Sequence, residues 1–71
     1  MKVTLYSTHC PICNVVSTKL KQKNITYDEV NDVDAMIAKG FMTAPMLEVD
    51  GKIMNSAEAM KFIDNYTERN N

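Results

Sequence analysis

The stretch Cys10-Pro11-Ile12-Cys13 decides both the fold and the chemistry of this chain. It follows an alternating run, Lys2-Val3-Thr4-Leu5-Tyr6, which predicts a β-strand over residues 2–6. It opens a segment that predicts a helix over residues 11–23, with Pro11 in the first turn, where a backbone N–H would have no partner anyway. Two cysteines three residues apart at a helix start share one face, and a disulfide can form and break between them.

The position of the two cysteines favours redox chemistry over a structural role. The unpaired N–H groups and the positive end of the helix dipole favour a thiolate over a thiol, so Cys10 is the candidate nucleophile. Cys13 lies one turn further and is the candidate resolving thiol. As a staple, a disulfide closing so short a loop would contribute only ~2 kcal/mol. A small metal- or iron–sulfur-binding module that uses the same cysteines remains an alternative, although a structural zinc site takes about four ligands.

The composition of the chain limits the kinds of partner that it can bind. The chain has 71 residues, 8 basic and 9 acidic side chains and a net charge of −1, with no basic block of the kind that binds nucleic acid or anionic membranes. No apolar run approaches the ~20 residues of a membrane span, and the start of the chain does not look like a signal peptide. We therefore expect one domain over residues 1–71, a monomer, in the cytoplasm.

The rest of the pattern completes a small α/β domain. It predicts a strand over 26–30, a short helix capped by Asn31 or Asp32 that stops at Gly40, and strands over 45–49 and 52–54. A last helix is predicted over 56–66, and Asn55 and Glu58 are spaced like a capping box at its start. Asp50-Gly51 is a strong signal for a hairpin between the third and fourth strands. The order β-α-β-α-β-β-α predicts a mixed four-stranded sheet flanked by three helices. The predicted apolar helix faces are Ile12, Val16 and Leu20; Val33, Met36 and Ile37; and Ala59, Phe62, Ile63 and Tyr66.

Two segments together resemble the glutaredoxins. The run from Leu5 to Cys13 looks like their active-site segment, and Thr43-Ala44-Pro45 is similar to their Thr-Val-Pro segment, whose proline is cis. The resemblance covers essentially the whole chain. It implies a thioredoxin fold and thiol–disulfide oxidoreductase activity on disulfide-containing proteins, with glutathione as co-substrate and no tightly bound cofactor.

Three departures from that family concern glutathione. Ile12 stands where many glutaredoxins have tyrosine, and Ser7 stands where they often have a lysine for the glycyl carboxylate. Met54-Asn55-Ser56-Ala57 replaces a Gly-Gly-x-Asp-like segment that captures the γ-glutamyl end. We therefore expect weak glutathione binding, strengthened by lysine at position 7. A flavoenzyme of the thioredoxin reductase type becomes an alternative reductant, as for the glutaredoxin-like electron donors of ribonucleotide reductase.

These considerations predict which residues form the site and which methionines fill the core. Cys10 and Cys13 are expected to be catalytic, and no metal ligands are expected. The remaining assignments are Pro11, Pro45 and His9 for shaping the site; Thr43, Ala44, Pro45, Asn55 and Ser56 for binding substrate; Met42, Met46 and Met54 for an apolar rim; and Met36 and Met60 for filling the core.

Overall fold

A computed structural model describes residues 2–66 and has the predicted order of elements. The elements are β1 (Val3–Tyr6), α1 (Pro11–Gln22), β2 (Asp28–Val30), α2 (Val33–Ala38), β3 (Met46–Val49), β4 (Lys52–Met54) and α3 (Ser56–Asn65). Within this part of the chain no helix is both long and apolar enough to cross a membrane.

The sheet is mixed, with strand order β2-β1-β3-β4. β2 runs parallel to β1 through the crossover helix α1, and β3 runs antiparallel to both β1 and β4. Asp50 and Gly51, at the turn between β3 and β4, both have positive φ, 51° and 89°. That pair of angles is the requirement of a type I′ turn, which explains why Asp-Gly lies here. The thioredoxin fold expected from the sequence is confirmed.

The main core lies between one face of the sheet and the helices α1 and α3. Apolar side chains at alternate positions of β1 and β3 point to this face, because successive residues of a strand face opposite sides. The buried members of this core are Val3, Leu5, Val16, Leu20, Ile25, Leu47, Val49, Met54, Ala59 and Ile63.

The segment that follows α2 packs against one end of the opposite face of the sheet. Tyr6, next to Leu5 in the strand, packs edge-on against Phe41 with ring centroids 5.0 Å apart. Its hydroxyl donates a hydrogen bond to Glu48 (3.1 Å), and Glu48 also pairs with Lys39 (3.2 Å). Hydrogen bonding to Tyr6 and to the Glu48 carboxylate raises the pKa of Lys39. These contacts tie the end of α2 to β3 and so hold both ends of the intervening loop.

Several sequence-based predictions of burial are wrong. Ile12 is 48% exposed, since the buried face of α1 is formed by Cys13, Val16 and Leu20. In α2 only Met36 is buried, whereas Val33 (52%) and Ile37 (64%) are exposed. The reason is that no other helix or strand among residues 2–66 covers that side of α2.

Other differences are smaller. Met54 lies in the core rather than on a rim beside the cysteines, because the last residue of β4 points toward α3. β2 begins at Asp28 instead of residue 26, because only residues 28–30 pair with β1. Phe62 and Tyr66 pack at the margin of the core rather than inside it.

Candidate active site

The loop between β1 and α1 delivers Cys10 to the start of the helix. Ser7 is buried, and its hydroxyl oxygen accepts the His9 N–H (3.0 Å). His9 adopts a positive φ of 62°, which is costly for a residue with a β-carbon and turns the chain sharply. Cys10 is then extended and forms the N-cap of α1, where Pro11 takes the first helical position. The His9 side chain itself points to solvent.

The Cys10 sulfur lies where the helix backbone can hydrogen-bond to it. Cys10 Sγ accepts the backbone N–H of Cys13 at 3.1 Å, as the oxygen of a conventional N-cap residue would. Cys10 is partly exposed and Cys13 is fully buried. Of the two free thiols, therefore, only Cys10 can meet a substrate directly.

The Cys13 thiol is surrounded by donors from the β1–α1 loop. Burial raises its pKa, but hydrogen bonds from Cys10, the Thr8 backbone and the Ser7 hydroxyl lower it by more, so that the pKa falls from 9.0 to about 7. The Thr8 hydroxyl is also 3.9 Å from Cys13 Sγ. The dithiol thus loses a proton near neutral pH. Sequence reasoning missed Ser7 and Thr8 as neighbours of Cys13, because nothing in their spacing indicates that the loop folds back over the helix.

The segment before β3 brings a backbone carbonyl to Cys10. Ala44–Pro45 is a cis peptide bond, as the resemblance implies, and Pro45 is fully buried. The Ala44 carbonyl oxygen lies 4.0 Å from Cys10 Sγ, within reach of the thiol proton. Thr43 is exposed beside it, with its hydroxyl 3.9 Å from Met46 Sδ. Two segments far apart in sequence therefore meet at the reactive sulfur.

A groove opens beside Cys10 and reaches from α2 to the segment before Pro45. Its volume is about 280 Å³. We call it the apolar groove; its lining residues are Thr8, Cys10, Val33, Met36, Ile37, Phe41, Met42, Thr43 and Ala44. Met42 is 95% exposed at its edge, as a rim residue should be. The sequence pattern placed Val33 and Ile37 on a buried helix face. The one feature of the sequence that pointed to their exposure was the shortness of α2.

Asn55, one of the residues expected to bind substrate, forms the cap at the start of α3. The Asn55 side chain accepts the Glu58 N–H (2.9 Å), and the Glu58 carboxylate accepts the Asn55 N–H (3.1 Å). This capping box satisfies two helix-end donors within the chain and keeps a carboxylate there. Neither Asn55 nor Ser56 lines the apolar groove.

The structure also argues against the expected effect of lysine at position 7. Ser7 is only 2% exposed, so a lysine there would have to leave its buried position to meet a carboxylate. As for metals, no group of three or more His, Cys, Asp or Glu side chains with ligand geometry occurs among residues 2–66.

Comparisons with known proteins extend the fold assignment. No protein-family model matches this chain, and no curated protein does. A solved structure of a trimeric glutathione transferase from Leishmania superposes with a TM-score of 0.73 at 26% identity, over 94% of this chain and 17% of that one. The chain is therefore a thioredoxin-fold protein that spans only a small part of the length of this neighbour.

Proposed function

We propose that this protein is a dithiol thiol–disulfide oxidoreductase of the glutaredoxin type. The observation that carries the proposal is the pair Cys10 and Cys13 at one helix start, with the Cys10 sulfur accessible and hydrogen-bonded by the Cys13 N–H at 3.1 Å. The thioredoxin fold supports it, as does the carbonyl of Ala44 beside Cys10. A disulfide-containing polypeptide is the proposed substrate, and a reducing cytoplasm is the proposed setting.

The reaction has two exchanges. The Cys10 thiolate attacks one sulfur of the substrate disulfide, which forms a mixed disulfide and releases the other substrate sulfur as a thiolate that takes up a proton. Cys13, as thiolate, then attacks Cys10 Sγ, which forms the Cys10–Cys13 disulfide and releases the second substrate thiolate. The substrate gains two electrons and the protein loses two. The hydrogen bonds from the Thr8 backbone and the Ser7 hydroxyl, which lower the pKa of Cys13 in the reduced protein, do not depend on the Cys10 thiol proton and so can favour the Cys13 thiolate in the second step.

The protein is then reduced by an external dithiol or by two monothiols. The glutathione transferase neighbour supports glutathione as that reductant. A second candidate, a flavoenzyme of the thioredoxin reductase type, is favoured by the lining of the apolar groove, which offers no lysine or arginine for the carboxylates of glutathione. Reduction of the oxidised protein by glutathione, compared with reduction by such a flavoenzyme and NADPH, decides between them.

The function itself is tested by cysteine variants. Cys10→Ser should abolish reduction of a protein disulfide, whereas Cys13→Ser should accumulate a mixed disulfide at Cys10 that mass spectrometry can map. Val15→Ser, on an exposed part of α1, is the control and should act like the unsubstituted protein.

Two results would contradict this proposal. One is full activity of Cys10→Ser, and the other is a trapped substrate on Cys13 instead of Cys10. A stoichiometric bound metal, or the visible absorbance of a cluster, in freshly purified protein would instead favour the metal-binding alternative.

A further inference from the structure

The apolar groove continues directly from the reactive sulfur. Cys10 and Ala44 line it, and Cys10 Sγ is 4.0 Å from the Ala44 carbonyl oxygen. A substrate joined to Cys10 through a disulfide therefore has part of its chain beside the groove. A volume of about 280 Å³ lies just below the roughly 300–1,000 Å³ of drug-sized ligand sites, so it suits a side chain better than a large cofactor.

The lining of the groove is neutral and mostly apolar. Apart from Cys10, none of the lining residues has an ionisable side chain, and the exposed ones include Val33 (52%) and Ile37 (64%). Exposed branched side chains on adjacent turns of one helix leave apolar surface in water, which contact with an apolar partner would remove. A carboxylate-bearing ligand would gain no ion pair inside this groove.

The wall of the groove that α2 forms has carboxylates beside it, although none of them lines the groove itself. Asp32 and Asp34 are exposed on either side of Val33, and Asp32 Oδ1 caps α2 by accepting the Asp34 N–H (3.0 Å). Lys39, the cation nearest to these carboxylates in sequence, lies at the other end of α2 and pairs with Glu48. The partner that complements this wall is therefore basic next to its apolar residue.

We propose that the apolar groove selects polypeptide disulfides in which the reactive cysteine is flanked by a large apolar residue and then by a basic one. The apolar side chain lies against Val33 and Ile37, and the basic side chain lies near Asp34. This inference rests on the proposed function, and the chemical step is the same attack of Cys10 on the substrate disulfide. It accounts for the exposed apolar side chains of Val33 and Ile37 and for the carboxylates on either side of Val33.

Four matched peptides test the proposal. Each carries one cysteine joined by a disulfide to the same chromophoric thiol, followed by leucine or serine and then by lysine or glutamate. The Cys13→Ser form stops the reaction at the mixed disulfide, and release of the chromophore gives the rate constant.

We expect leucine to exceed serine by about tenfold, the order of discrimination that a small hydrophobic pocket supplies. Lysine should exceed glutamate by about 2–5-fold at low salt, and this ratio should approach one at about 1 M salt, because exposed charges are screened there.

Two variants test which residue of α2 causes each preference. Ile37→Ser should reduce the leucine-to-serine ratio, and Asp34→Asn should reduce the lysine-to-glutamate ratio. The matched controls are Val15→Ser, which removes an exposed apolar side chain from α1, and Gln22→Lys, which adds the same unit of positive charge at the far end of α1. Both controls should leave both ratios unchanged.

A small symmetrical disulfide that carries no peptide distinguishes a failure of the proposed selectivity from a failure of the proposed oxidoreductase function. If the protein reduces this compound but reacts equally with all four peptides, the selectivity is overturned and the oxidoreductase function stands. If it reduces neither, the proposed function fails. If Ile37→Ser and Val15→Ser change the ratios equally, the groove is not the determinant.

Discussion

Replacing Ser7 by alanine should change the titration of Cys13 without removing either cysteine. Ser7 is buried, and its oxygen accepts the His9 N–H at 3.0 Å. Its own proton is therefore free to point to the Cys13 sulfur, where the hydrogen bond helps to lower the pKa to about 7. Alanine removes this donor, so the pKa of Cys13 should rise.

The size of the rise in pKa follows from the free energy that one hydrogen bond to a charged group contributes. Such a bond contributes about 1.5–3 kcal/mol, and one pKa unit corresponds to about 1.4 kcal/mol, so we expect a rise of about one unit or more. With a rise of one unit, the thiolate fraction at pH 7 falls from about one half to about one tenth. Nucleophilicity rises with pKa with a Brønsted slope of about 0.4–0.5, which offsets this loss by roughly threefold.

The net rate effect should reverse with pH. Below the pKa of Cys13 in the mixed disulfide, the Ser7→Ala protein should resolve that disulfide more slowly, whereas well above it, where Cys13 is ionised in both proteins, the variant should do so faster. The pKa is read from the ultraviolet absorbance of the thiolate in the reduced protein. The resolution rate is read by stopped flow from a mixed disulfide formed at Cys10.

Thr8→Val is the matched control. Its hydroxyl is 3.9 Å from Cys13 Sγ, but the Thr8 contribution to the lowered pKa comes from the backbone N–H, which valine retains. We expect this variant to titrate close to the unsubstituted protein. A Ser7→Ala protein with an unchanged titration, or one slowed equally below and well above the pKa of Cys13 in the mixed disulfide, would refute the role of the Ser7 hydroxyl.

Three further results are expected. The pKa of Cys13 falls from 9.0 to about 7 on folding, so the free energy of unfolding of the reduced protein should rise between pH 7 and 9 and this gain should be lost as the pH falls through 7. Denaturant titrations measure this change, and the oxidised protein, which has no Cys13 thiol, should not show it. Asn55→Ala should lower the free energy of unfolding by about 1–2 kcal/mol through loss of the capping box, and an unchanged urea midpoint would contradict this. Ile37→Lys should tighten glutathione binding by about 2–5-fold in calorimetry at low salt, and Val15→Lys, with the same charge outside the groove, should not.

The sequence by itself determined the features that depend on near neighbours along the chain. The helix start at Cys10-Pro11, the turn at Asp50-Gly51 and the caps at Asp32 and Asn55 all agree with the structure. Each depends on hydrogen bonds or backbone angles within about four residues, so the residue types suffice to predict them. The Thr43-Ala44-Pro45 segment was found by resemblance, since spacing alone gave no reason to join it to the cysteines.

Only the tertiary structure decided what surrounds the two sulfurs. The Ala44 carbonyl reaches Cys10 across 34 residues of sequence, because β3 pairs with β1 and carries the segment before it to the end of the same strand. Periodicity gives the apolar face of α2, but it cannot tell whether another element covers that face. No element in the described part of the chain does, and Val33 and Ile37 line a groove instead of a core. The lowered pKa of Cys13 likewise comes from a loop folded over the helix start, since hydrogen bonds to a buried atom depend on position in space rather than on spacing in the chain.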